Sequence, residues 1–235
     1  GKSQLRTPDT LPTSSRNTRT FPGARRLGPL MVLLGLLGSV GLSGCTLPGA
    51  GVDVSGDLKL LYAPFSLSNP PRYWQVHQPQ DSNPPPLEWE DKDGRIALAA
   101  RPGLGAFEIG RRTNVIVLAS PFLSFDWQFN SAAQVGDVEL VLGFRRQTQG
   151  SWTESDLGSG KPTMDQEVRI VVGQYSVRYG EWHREYFDLS TLYRRYWPDT
   201  AADEVRLVWI GLVSGQEHVA SENSVTHLTH ILLSR

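Results

Sequence analysis

The sequence predicts an all-β protein: an antiparallel β-sandwich of the jelly-roll type with one short helix, formed by residues 57–235. From residue 57 onward apolar and polar residues alternate, as they do in strands that have one face on a core. Turn-forming stretches such as Asn83-Pro84-Pro85-Pro86 and Asp93-Gly94 separate the alternating runs. About ten runs and a single helical segment fit two packed antiparallel sheets.

Three of the runs have a strict period of two, at residues 123–129, 138–144 and 168–172. In such a strand one face meets the core and the other meets water. We therefore expect Ser124, Asp126 and Gln128 to face solvent. The run at 205–213 has apolar residues on both faces, which predicts a central strand covered on both sides.

The remaining strands and the helix are predicted from shorter signals. Strands are expected at 58–62, 73–77, 87–89, 95–100 and 106–109, with a last one at 225–233. Asp188 or Ser190 can cap a short helix that runs through Tyr193 and Tyr196 and ends before Pro198.

The N-terminal segment has the features of a bacterial export signal. Arg25 and Arg26 precede an apolar run at 27–42, which is short for a bilayer span. The run ends in Leu42-Ser43-Gly44-Cys45, which resembles a bacterial lipobox. We therefore expect 1–44 to be a polar extension plus a lipoprotein signal peptide, and 45–56 to be a flexible tether. A plain signal peptide or a transmembrane helix is the alternative.

The lipobox resemblance implies that Cys45 receives the lipid and attaches the protein to a membrane of the cell envelope. Cys45 is the only cysteine in the chain, so no intramolecular disulfide can form. Thr46 follows it, which resembles the outer-membrane default, with the protein on the periplasmic face if the cell is Gram-negative. From residue 45 onward 17 basic and 23 acidic side chains give a net charge near −6, which argues against a nucleic-acid partner.

The order of motifs also resembles a bacterial envelope family known as domain of unknown function 3047, and more loosely the galactose-binding and carbohydrate-binding jelly rolls. The resemblance rests on the stretches 122–127 and 136–144 and on the end of the chain, from Trp182 through the last strand. It implies a jelly-roll fold and assigns no activity, because the family has none assigned. The terminal strand departs from the usual pattern, since His230 stands where an Asp is common.

The sequence contains no catalytic or metal-binding signature, so no catalytic residue, metal ligand or cofactor is predicted. His227 and His230 are three positions apart, which places their rings on opposite faces of a regular strand. Asp137 and Glu139 alternate on one face without a third carboxylate, so we interpret them as part of a solvated sheet face. His183 with Asp188 could imitate a base and its orienting acid, but the 182–185 stretch is interpreted as a surface loop.

Aromatic residues near loops and strand ends are the best candidates for ligand contacts, because sugar rings stack on such side chains. The candidates are Trp74, Trp152, Tyr179 and Trp182. The leading hypothesis is a non-enzymatic envelope lipoprotein whose sandwich binds a ligand, either a glycan or another envelope protein. The alternative is a structural or accessory subunit that docks onto an envelope complex. An unrecognised hydrolase is the third hypothesis.

Overall fold

The computed structural model describes residues 57–146, 160–174 and 178–235. The predictions about the signal peptide, Cys45, the tether and Trp152 lie outside the described residues. Within them, no helix is long and apolar enough to cross a membrane.

The described residues form eleven strands and one α-helix. In chain order they are β1 (Leu58–Leu61), β2 (Trp74–His77), β3 (Leu87–Lys92), β4 (Arg95–Ala100), β5 (Glu108–Ile116), β6 (Phe122–Phe129), β7 (Val138–Arg146), β8 (Gln166–Val171), β9 (His183–Asp188), α1 (Leu189–Arg194), β10 (Val205–Ser214) and β11 (Thr226–Ser234). Short 3-10 turns lie at Pro102–Leu104 and Ala202–Glu204.

The strands make two antiparallel sheets that pack as a sandwich. One sheet has the order β3-β4-β11-β6-β9, with β1 added on β11, and the other has the order β2-β5-β10-β7-β8. Apart from the β7–β8 hairpin, consecutive strands from β4 to β11 lie in opposite sheets, and the orders β4-β11-β6-β9 and β5-β10-β7-β8 are those of a jelly roll. The predicted fold class is therefore confirmed.

The core between the sheets is formed by the predicted inward faces. Phe125, Trp127 and Phe129 of β6 are at most 1% exposed, and Phe144 of β7 is fully buried. Burying each such aromatic side chain stabilises the fold by roughly 2–3 kcal/mol. The two-residue periodicity thus predicted the inner face of the sheet correctly.

The outer face of the five-stranded sheet also buries a large aromatic side chain, Trp209 of β10. Its indole lies against Gly110 of β5, and Gly143 of β7 lies beneath its Cβ. Met164 packs over the same cluster, and the Lys161 ammonium lies 5.8 Å from the indole ring. Strand β10 is central and covered on both sides, as predicted.

Two elements differ from the sequence prediction. Strand β5 extends to Ile116, well beyond the predicted end at residue 109, because it pairs along its length with β10. The stretch interpreted as a surface loop at 182–185 lies mostly in β9, which pairs with β6 from Phe122 to Trp127. The polar residues in both strands weaken the alternation on which the prediction depended.

The helix begins where the sequence predicted. The Asp188 side chain accepts hydrogen bonds from the backbone N–H groups of Ser190 and Thr191, at 2.9 and 3.2 Å. This is an N-cap, and it fixes α1 directly after β9.

Candidate binding face

The outer face of the six-stranded sheet, which points away from the core, carries a polar surface that the sequence did not predict correctly. Ser124, Asp126 and Gln128 alternate with the core residues of β6, as expected. They do not face water, however, because Asp126 is 3% exposed and Gln128 is 1% exposed. Other side chains of the same face cover them.

Asp126 is the centre of this surface. Arg184 of β9 binds both of its carboxylate oxygens, with Nε 2.5 Å from Oδ1 and Nη2 2.9 Å from Oδ2. Arg95 of β4 donates to Oδ2 at 3.2 Å, and Nδ1 of His230 lies 3.1 Å from the same oxygen. Two guanidinium groups and one imidazole therefore share a single buried carboxylate.

The charges around Asp126 determine its protonation. Burial alone would raise its pKa, but hydrogen bonds from Arg184 and His230 outweigh burial, and the pKa is lowered from its ordinary value of 3.8. The hydrogen bond to Asp126 and an interaction with the Tyr186 side chain raise the pKa of Arg184. Asp126 is therefore ionised at neutral pH, and its side chain holds the two arginine side chains in position.

A bulge in β11 brings His230 to this face. The pairing of β11 with β6 shifts between Thr229 and Leu232, and His230 has a positive φ of 52°. The predicted placement of His227 and His230 on opposite faces is therefore wrong. His227 Nε2 lies 2.8 Å from Glu90, and His230 contacts Asp126. Among the described residues no group of three or more potential ligands is placed to hold a metal ion.

Strand β9 supplies the exposed part of the face. Trp182, Arg184 and Tyr186 lie on the outer side, and the Tyr186 ring is 67% exposed. The Arg95 guanidinium lies 5.0 Å from the Trp182 ring centre, so Arg95 is held between that ring and Asp126. Along this edge of the sheet, the Arg184 side chain therefore lies between two aromatic side chains, those of Trp182 and Tyr186.

The inner side of β9 is unusual because it also carries polar residues. His183 stacks on Trp127 with ring centres 4.6 Å apart, and Glu185 accepts a hydrogen bond from the Gly173 backbone at 3.3 Å. Burial raises the pKa of Glu185. His183 Nε2 donates a hydrogen bond to the Arg178 carbonyl at 3.1 Å, and Asp188 caps α1. The two residues that could have imitated a base and its acid therefore have separate structural roles.

A groove of about 640 Å³ continues from Tyr186 around the edge of the sandwich, between β8 and the β9–α1 segment. Tyr186 and Tyr196, which is 42% exposed, both line this groove. Arg195 also lines the groove and is exposed. Arginine and tyrosine side chains therefore extend from the outer face into the groove.

The predicted ligand-contacting aromatics are dispersed. Trp182 lies on the candidate face and Tyr179, 53% exposed, lies in the turn that precedes β9. Trp74 lies at the edge of the other sheet, where it packs against the core and against Phe65, with ring centres 4.7 Å apart. Tyr186 and Arg184 were missed because β9 was not predicted, and Arg95 was missed because its contact with Asp126 joins two strands far apart in the sequence.

The sequence placed Asp137 and Glu139 on a solvated sheet face, and this interpretation is wrong. Both are buried, and Arg169 binds Glu139 at 2.9 Å. Ser224 donates to Asp137 at 2.5 Å, while His218 Nε2 lies 2.6 Å from the other carboxylate oxygen. A nucleophile would need the histidine between serine and aspartate. Here the carboxylate is in the middle, and it joins the β6–β7 loop to the β10–β11 loop.

Comparisons with known proteins give only loose structural likenesses. No protein-family model matches the chain, so the resemblance to domain of unknown function 3047 is not confirmed, and no curated protein matches. A family 30 carbohydrate-binding module of a Clostridium thermocellum cellulosomal cellulase has a TM-score of 0.44 at 10% identity, covering 76% of this chain and 98% of the module.

Two further solved structures are similar to a comparable degree. A family 11 module from Clostridium thermocellum, in complex with a β-1,3-1,4-mixed-linked tetrasaccharide, has a TM-score of 0.37 at 9% identity, covering 72% of this chain and 93% of the module. The K1 adhesin domain of Lys-gingipain from Porphyromonas gingivalis has a TM-score of 0.37 at 12% identity, covering 76% of this chain and 98% of the adhesin domain. Likenesses this loose carry no functional inference.

Proposed function

We propose that this chain is a non-enzymatic binding protein of the cell envelope and that it binds a glycan on the outer face of the six-stranded sheet. The observation that carries the proposal is the arrangement around Asp126. Two half-exposed arginine side chains, Arg95 and Arg184, are held in place by that carboxylate, next to the exposed ring of Tyr186.

Each part of this arrangement suits a sugar. A saccharide presents hydroxyl groups at the ring edge and C–H groups on the ring face. Guanidinium groups donate several hydrogen bonds in fixed directions, and they accept none. A tyrosine ring offers an apolar face for stacking and little conformational freedom to lose. Because Asp126 and Trp182 already hold the arginine side chains, binding would cost little additional ordering.

Substitution of Tyr186 tests the proposal. In the purified full chain, Tyr186→Ala is expected to weaken binding to a responsive glycan about tenfold, because the stacking surface is lost. Isothermal titration against a panel of neutral and acidic polysaccharides measures the effect. Val219→Ala, at a 97% exposed position between β10 and β11, is the matched control. Binding that is equally strong in both variants would contradict the assignment of this face.

We also propose that the protein is attached to the envelope through a lipid on Cys45. The sequence features that support the proposal are the arginine pair, the apolar run and the lipobox-like Leu42-Ser43-Gly44-Cys45. Attachment would keep the binding face close to the membrane surface, where envelope glycans are concentrated.

Cys45→Ala is expected to move the protein from the membrane pellet to the soluble fraction, because the thioether that holds the lipid cannot form. Fractionation of the expressing bacterium, with immunodetection, measures the distribution. Thr46→Ala, which leaves the thiol in place, should stay in the pellet. A pellet-bound Cys45→Ala protein would refute the lipid anchor and would favour an uncleaved membrane helix.

A further inference from the structure

We propose that the binding face selects an acidic polysaccharide, one whose repeating units carry carboxylate groups, and that the chain of this ligand extends from Arg184 along β9 into the edge groove. The inference rests on the proposed glycan binding and adds the chemical class and the path of the ligand.

The Asp126 carboxylate does not balance the charge of the groups bound to it. One carboxylate receives two permanently charged guanidinium groups, so one positive charge is left uncompensated by this carboxylate. The nitrogen atoms of Arg95 and Arg184 that share Oδ2 lie within about 6 Å of each other. The Arg95 and Arg184 side chains remain 42% and 52% exposed, while Asp126 is 4% exposed. An incoming anion therefore meets the cations and not the carboxylate.

The geometry of the ion pair directs only part of each guanidinium group toward Asp126, and Arg184 also interacts with the Tyr186 side chain. Arg184 uses Nε and Nη2 toward Asp126, so the N–H groups of Nη1 point away from that carboxylate. Arg95 uses Nη1 toward Asp126 and stacks on Trp182, which leaves its other edge to solvent. Carboxylate groups are the anions that a guanidinium edge binds with two parallel hydrogen bonds.

The path beyond Arg184 favours a polymer over a single small anion. Tyr186 follows Arg184 on the same side of β9 and also lines the edge groove, where Arg195 and Tyr196 lie. Arginine and tyrosine side chains therefore continue from the outer face into the groove, and the acidic side chain in its lining, Asp188, is engaged in capping α1. A polysaccharide with one acid group per sugar presents both carboxylates and ring faces to such side chains.

The local charge contrasts with that of the protein as a whole. The chain from residue 45 onward has a net charge near −6, so a general attraction of polyanions is not expected. Selectivity for an acidic glycan would then have to come from these particular arginine residues.

Polygalacturonate and alginate, each compared with its esterified form, test the inference, because esterification removes the charge and keeps the sugar backbone. We expect the full chain to bind at least one of the acids and to bind the corresponding ester about tenfold or more weakly. Binding to the acid should also weaken as the salt concentration rises.

Arg184→Gln and Arg195→Gln are each expected to reduce affinity for the acid about tenfold. Arg195 makes no described side-chain hydrogen bond or ion pair, so its variant keeps the test valid if Arg184→Gln does not fold. Arg72→Gln removes one positive charge next to β2, at the edge of the other sheet, and should not alter binding.

Different binding results would contradict the selection of acidic glycans, the path of the ligand and glycan binding itself. Equal affinity for acid and ester, both lost in Tyr186→Ala, would overturn the selection of acidic glycans and leave glycan binding intact. If neither arginine substitution weakens binding of the acid, the proposed path along β9 into the edge groove is wrong. No binding to any acidic or neutral polysaccharide by the folded chain would overturn glycan binding itself and would favour a protein-docking role.

Discussion

Asp126→Ala is expected to lower the free energy of unfolding by about 2–3 kcal/mol, because the substitution removes the charged acceptor that Arg184, Arg95 and His230 share. The arginine side chains are half-exposed and can regain water, which keeps the cost below that of a fully buried pair. For a domain of this size the thermal midpoint should fall by roughly 4–12 °C.

The effect of Asp126→Ala should depend on pH in a defined direction. The folded protein holds the pKa of Asp126 below its ordinary 3.8, so the ionised carboxylate contributes stability above that value. This contribution is lost as the pH falls through the lowered pKa. The difference between the wild-type and Asp126→Ala midpoints should therefore be full at pH 7 and should shrink below about pH 4.

Thermal unfolding followed by circular dichroism at several pH values measures both effects. Asp199→Ala removes one exposed acid next to α1 and should change stability by no more than about 0.5 kcal/mol. A midpoint for Asp126→Ala that equals the wild-type midpoint at pH 7 would show that the cluster adds no net stability. The arginine side chains would then be held by something other than this carboxylate.

Gly215→Ala is expected to destabilise the sandwich by about 3 kcal/mol or more, because two backbone segments are in contact at that glycine. A Cβ at position 215 would overlap the carbonyl oxygen of Gly136 and would lie 3.3 Å from the carbonyl carbon of Asp137. Neither neighbour is a flexible side chain. The N–H of Gly215 donates to the Asp137 carbonyl at 2.8 Å, so the segments cannot separate without losing that bond.

The damage from Gly215→Ala should reach the loops that Asp137 joins. Proteolysis of the loop between β10 and β11 is expected to accelerate along with the drop in midpoint. Gly94→Ala is the comparison, since a Cβ there meets no atom within 4 Å and only the positive φ of 75° opposes it. It should cost only about 1–2 kcal/mol. Similar losses in both variants would mean that the 136–137 segment moves aside easily.

The inner face of the sandwich could be predicted from the sequence because its signal is local. Leu123, Phe125 and Trp127 are two positions apart, and this spacing alone places them on one side of a strand. The N-cap at Asp188 is local in the same sense. Neither inference required knowledge of which strands are neighbours.

The candidate site could not be predicted, because its contacts join distant parts of the chain. Arg95, Arg184 and His230 are 31, 58 and 104 residues from Asp126. No periodicity indicates that a polar residue of β6 will be buried by side chains from three other strands. The bulge that turns His230 toward Asp126 contains no glycine, so the sequence gives no sign of the positive φ at that position.

Strand β9 was missed for a different reason, since its inner side carries His183 and Glu185 in place of two apolar residues. One signal was available: Trp182, Arg184 and Tyr186 alternate with His183, Glu185 and Phe187, and aromatic residues favour strands. Polar residues are tolerated inward because β9 is the last strand in the order of its sheet.

Those inward polar residues also affect how the protein behaves at high concentration. The last strand of a sheet presents unpaired backbone groups, which can template the addition of a strand from another molecule. A charged side chain that points inward on such a strand discourages this growth, because the added sheet would have to bury it. Glu185, with its raised pKa, is costly to bury even in the native fold. We therefore expect Glu185, one of the residues that made β9 hard to predict, to hinder self-association at this edge.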